Sequence, residues 1–274
     1  MNKILLLAIL ISANIFAQDK LEKIAKPIVE DGKMLYRSEM ASWYGTDIFL
    51  EKFKEQSKIG GYFSYSEKDQ IKCVFISKEN NSKVLGSVTF DNSFDTKKAV
   101  TDLKERNLTE TETDYFILRK KTLEVIMKDT LFKQFENMSL NIIPIISKGE
   151  RKVYLLSGPK KNGVVIFGND YLIEFDKNNN VKNKKSLHKN IIPIEFKKDE
   201  GKDAETIHNH LPETGDFITP TDICTLMLYE KFAGWKNHLV ISKKYVSIWN
   251  CKTDELFIMT TDAMKKIATD VNKK

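Results

Sequence analysis

Hydrophobic and polar positions change their period several times along the chain. Residues 18–38 are mixed and polar, a lead-in with room for a short helix. From 40 to 57 the apolar positions Ile48, Phe49, Leu50 and Phe53 recur at partial helical spacing, with Trp43 and Tyr44 as packing residues. Gly60 and Gly61 break that pattern. Three strand-like runs follow at 62–66, 71–77 and 83–90, with a polar turn at 79–82, which predicts an antiparallel meander. Residues 96–106 read as a short helix. Thr109 opens the longest helical pattern, with an acidic first turn and Phe116, Ile117, Leu123, Ile126, Met127 and Phe132 along one side.

Near residue 138 the pattern becomes strand after strand, in the runs LNIIPIIS, KVYLLS, GVVIFG, YLIEFD and NIIPIEF, with turns at KGE, GPKKNG and DKNNN. Pro144 and Pro193 place their strands at sheet edges or bulges, because proline cannot donate to a ladder. A charged loop at 198–205 precedes the histidines. Residues 223–232 form an apolar helix that Gly234 would stop, two further strand patterns cover 237–250 and 255–261, and Thr260 and Thr261 cap a last helix. These elements predict an α+β protein, with an N-terminal α+β region over 18–138 and a mixed-sheet region over 139–274.

Composition changes this picture in three ways. The first residues combine Lys3, an apolar run over 4–11 and small residues up to Ala17, the form of a secretory signal cleaved after Ala17. That implies an exported protein, periplasmic or secreted, and the run is too short to span a bilayer. The formal net charge is +6, from 44 basic and 38 acidic residues scattered through polar turns, so a solvated lysine surface explains it and a nucleic-acid footprint does not. The three cysteines, Cys73, Cys224 and Cys251, leave room for one disulfide, and their spacing does not choose the pair.

Candidate chemistry concentrates at 206–222, TIHNHLPETGDFITPTD. Side chains two apart in a strand share a face, so His208 and His210 project together. Thr219 reads as an N-cap, Pro220 as the first helical residue and Asp222 as the third. A strand, a loop and a helix entry in that order can return Asp222 to the histidine pair. Two imidazoles and a carboxylate suit Zn2+ as a three-ligand site with a fourth position for water. The competing reading is structural: Thr-x-x-Asp before an apolar helix is also close to a capping box. His238 alternates with buried positions of its strand and is expected inside and hydrogen-bonded. His188, after a lysine-rich turn, is expected at the surface. No Walker loop, G-x-S-x-G or HExxH occurs in the sequence.

The same stretch resembles the JAMM (JAB/MPN) metallopeptidases, including their RadC-like branch, whose mark is His-x-His-Pro followed by Ser-x-x-Asp. Here Leu211 stands at the proline position and Thr219 at the serine. The resemblance implies zinc ligation by His208, His210 and Asp222, Thr219 donating to the reaction intermediate, and a peptidase or isopeptidase acting on a peptide or protein substrate. It also implies an upstream glutamate as general acid and base. Lysines occupy that place before the 163–168 strand, which leaves Glu174 and Glu195 as the substitutes. A chain with no working base would instead be a secreted binding or structural protein.

Overall fold

A computed structural model describes residues 2–79, 82–196 and 204–271, with side chains from Asp19 to Asp270. The side chains of the signal-like segment, two residues of the turn expected at 79–82 and most of the charged loop at 198–205 lie outside that description. The fold is α+β, and the chain divides into two compact units, Met34–Phe196 on one side and Met1–Lys33 with Lys197–Lys274 on the other. The pattern change near residue 138 falls inside the first of these. No helix among the described residues is long and apolar enough to cross a membrane.

The chain opens with α1 (Asn2–Lys52), one helix in place of the separate segments that periodicity suggests. From Gly32 its buried positions are Gly32, Leu35, Ser38, Ala41, Ser42, Gly45 and Phe49, a stripe at helical spacing made mainly of small residues. Small residues let the backbone lie close to its neighbours: a Cβ on Gly45 would stand 2.7 Å from the Cys73 Cβ.

In the Met34–Phe196 unit, β1 (Ile59–Glu67), β2 (Gln70–Ser77), β3 (Val84–Phe90) and β4 (Val100–Asp102) form an antiparallel sheet in that order. Strand β4 falls where a short helix was expected. The Asp95 and Asp102 carboxylates accept from the amides of Lys97 and Lys104, turns that compete with helix, and β-branched Val100 and Thr101 favour the ladder. Phe49 of α1 stacks on Phe75 of β2 at 3.9 Å between ring centroids, in a core with Ile71, Val88 and Phe90. Helix α2 (Glu110–Lys128) starts with a complete capping box, Thr109 and Glu112. Arg106 then holds the buried Glu112 carboxylate with a two-pronged fork at 2.6 and 2.7 Å.

A second sheet orders β5 (Met138–Ser147), β6 (Glu150–Pro159), β8 (Tyr171–Phe175) and β9 (Val181–Ser186), while β7 (Val164–Gly168) pairs with β10 (Ile191–Glu195). Pro144 lies on the edge strand β5 and Pro193 on β10, where a missing N–H is tolerated. Strand β9 is almost wholly exposed and lysine-rich, which hides it from a hydrophobicity reading.

The other unit carries β11 (Ala204–Asn209), α3 (Pro220–Ala233), β12 (Trp235–Ile241), β13 (Tyr245–Asn250), β14 (Glu255–Thr260) and α4 (Thr261–Val271). Its four strands make one mixed sheet in chain order. β11 runs parallel to β12 through the α3 crossover, and the remaining pairs are antiparallel. Gly234 ends α3 in the left-handed region at φ 68°. Near the end of α1's contribution to this unit, Gly32 lies so close to α3 that a Cβ there would stand 2.7 Å from Ile223.

Candidate metal centre

Strand register builds this centre. Period-two alternation puts Thr206 and His208 of β11 on one face, and the ladder pairs them with His238 and Val240 of β12. The next pairs are His238 with Trp249 and Val240 with Ser247 of β13. One more backbone bond, His210 N–H to the Ile241 carbonyl at 2.8 Å, extends the pairing past the end of β11. The loop from Leu211 returns to the sheet where the Ile218 amide donates to the Ser247 hydroxyl at 3.2 Å. That tether sets the start of α3. At the other end of the helix, the Trp249 indole donates to buried Glu230 at 3.1 Å. Two positions on β13 thus fix both ends of α3.

The structure brings His208, His210 and Asp222 together. One donor atom from each lies within 4.8 Å of the others. The Asp222 Oδ1 stands 3.7 Å from His208 Nε2, and Oδ2 stands 3.4 Å from His210 Nε2. Both separations exceed an ordinary N–H···O bond. Two imidazoles presenting Nε2 and one carboxylate form a donor set that could hold a metal ion. All three residues are buried, at 4 %, 6 % and 1 % exposure.

Asp222 also does the structural task expected of it. Its Oδ2 accepts from the Thr219 amide at 2.9 Å and the Thr219 hydroxyl at 2.8 Å, while its own amide donates back to Thr219 Oγ1 at 3.1 Å. This is a full capping box, so the capping and clustering roles coexist. The box at α2 makes the contrast: there the buried carboxylate meets a guanidinium, while at α3 it meets two imidazoles. A bound cation would supply at Asp222 the positive charge that Arg106 supplies at Glu112. The Thr219 hydroxyl directs its hydrogen to Asp222 and also meets Thr221 Oγ1 at 2.9 Å.

His238 joins this group from β12. It is fully buried; its Nε2 meets His208 Nδ1 at 2.8 Å, and its Nδ1 meets Thr206 Oγ1 at 2.7 Å. Burial, reinforced by neighbouring His208 and opposed by Asp222, drives its pKa down to about 3, so it is neutral at physiological pH. Alternation with Val240 marks it as buried in sequence, but its partner lies across a parallel ladder that sequence spacing does not reveal.

The two glutamates proposed for proton transfer sit on other elements. Glu174, on β8, accepts from the Asn183 side chain at 2.9 Å, and Glu195 ends β10 exposed, opposite Val164. Neither belongs to the strands or helix that carry the histidines and Asp222. His188 corrects the surface expectation: it is 4 % exposed, and its Nδ1 lies 2.9 and 3.0 Å from the two oxygens of buried Asp170. The tight turn into β8 creates that partner. Gly168 and Asn169 both take positive φ there and deliver Asp170 inward, while the Asn169 side chain bonds Ser157. Comparison with known protein families, curated proteins and solved structures gives no match to this chain.

Proposed function

We propose that the chain is a zinc-dependent hydrolase of the peptidase type, with the metal held by His208, His210 and Asp222. The convergence of these three buried donors, each within 4.8 Å of the others, carries the reading, and the resemblance of 206–222 to the JAMM motif supports the reaction class. A three-ligand zinc leaves a position for water or substrate, and the ion supplies Lewis acidity to a carbonyl when bound. The chain's own part is to orient donors. Ser247 fixes the approach to α3, Thr219 holds the Asp222 carboxylate by two bonds, and β11 with the residue that follows it aims both imidazoles from one edge of the sheet.

Burial favours a second reading. Donors no more than 6 % exposed suit a closed metal centre that stiffens a secreted binding or structural protein without turnover. Metal analysis of the purified protein tests the centre. It should find about one zinc per chain, lost in His208→Ala and Asp222→Ala. Protein that contains no zinc and refuses added zinc sinks both readings. Zinc retained at that ratio, with no cleavage across a panel of unstructured peptides and proteins, rejects the hydrolase and leaves the closed centre.

A further inference from the structure

We infer that His238 and Thr206 are positioning residues for the metal centre, forming a hydrogen-bonded relay that fixes His208 as an Nε2 donor. The inference rests on the metal reading above. Its basis is the line Thr206 Oγ1, His238, His208, in which both imidazole nitrogens of His238 are engaged, at 2.7 and 2.8 Å. The opposite nitrogen of His208, Nε2, faces Asp222. All four residues belong to one unit of the chain.

The chemistry of the relay has a direction. A neutral imidazole has one N–H and one lone pair, so two neutral histidines in contact must point the same way along the line. In one polarity His208 donates from Nδ1 to His238 Nε2, and His238 donates from Nδ1 to the Thr206 hydroxyl oxygen. In the other, Thr206 donates to His238, His238 donates to His208, and the His208 hydrogen moves to Nε2. Only the first leaves a lone pair on His208 Nε2, the atom that faces Asp222. A cation at the centre would therefore favour the first polarity, with the hydrogens of both histidines on Nδ1. The partner also restrains rotation of the His208 ring, as an outer partner of a ligating histidine usually does. Parallel register supplies the geometry, since Thr206 and His238 are direct partners and His208 follows two residues along the same face.

The test uses the full chain with zinc and cobalt, measuring affinity by competition with a chromophoric chelator. His238→Leu should weaken zinc binding about 10–100-fold. His238→Gln should recover most of that loss, because its amide can accept from His208 and donate to Thr206. Thr206→Val should weaken binding and Thr206→Ser should restore it, a pair that stays informative if His238→Leu fails to fold. The visible spectrum of bound cobalt should shift in Thr206→Val and revert in Thr206→Ser. Nitrogen-15 NMR of the zinc-loaded wild type should show Nδ1–H on both His208 and His238. Wild-type affinity in both His238→Leu and Thr206→Val overturns the relay while leaving the metal site standing, as does Nε2–H on His208 in the loaded protein. A wild type that takes up no zinc overturns the metal reading and this inference with it.

Discussion

Asp222 serves its helix and its histidines with the same carboxylate, and the two services separate by substitution. Asn keeps an oxygen for the Thr219 amide but loses the charge. Asp222→Asn should therefore change metal-free stability by no more than about 1 kcal/mol while abolishing zinc uptake. Equilibrium denaturation beside metal analysis checks this; uptake preserved in that variant would make the carboxylate a cap alone. Glu230, near the other end of α3, behaves differently. Burial pushes its pKa from 4.5 to about 8; the Trp249 bond opposes the rise and nearby Asp254 adds to it. The C-terminal end of a helix also disfavours a negative charge. A folded pKa above the unfolded one means the native state keeps a proton the unfolded chain has released. Stability should thus fall as pH rises from about 4.5 to about 8 and level off above. Glu230→Gln should flatten that slope in melts across the interval, and an unchanged slope would assign it to other groups.

Helices α1 and α3 show what the sequence reveals of an element and what it conceals. Every feature of the start of α3 is written in residue types with local meaning: Thr219 at the cap, Pro220 first, Asp222 third, and Gly234 at the end. The buried face of α1 is written, apart from Leu35 and Phe49, in Gly32, Ser38, Ala41, Ser42 and Gly45, residues that pack by being small and add little to a hydrophobic count. Strand β9 was concealed for the opposite reason, as its exposed lysines look like a turn. The histidine pair was legible through period-two alternation, whereas the Ser247 tether and the His238 partnership arise from register between distant strands. Close packing at Gly32 has an energetic consequence. Gly32→Ala places a methyl 2.7 Å from Ile223, so α1 or α3 must shift, at a cost of about 1–3 kcal/mol. Because Ile223 adjoins Asp222, zinc affinity should fall as well. A thermal melt unchanged from wild type would show that the helix pair absorbs the methyl freely.

Across the whole molecule, the three cysteines are buried thiols, Cys73 in one compact unit and Cys224 and Cys251 in the other. Burial pushes the Cys73 thiol up to about 12, with a Ser64 bond opposing the rise, so it resists becoming thiolate. A chromogenic disulfide reagent should find no reactive thiol in the native protein and all three in denaturant without reductant. Recovery of one would reveal a disulfide. The α+β class was legible in the succession of helical and strand periods. The unit boundaries were not, because one unit is assembled from two separated stretches of chain, and local pattern carries no record of which distant stretches meet. That discontinuity orders events at the ribosome. Gly32 leaves the exit tunnel with its surroundings set only by what has already been made, and its neighbour Ile223 emerges after the whole of Met34–Phe196. A nascent chain halted before β11 would display Gly32 without Ile223, the residue it packs against, a natural stretch for a chaperone to hold until translation finishes.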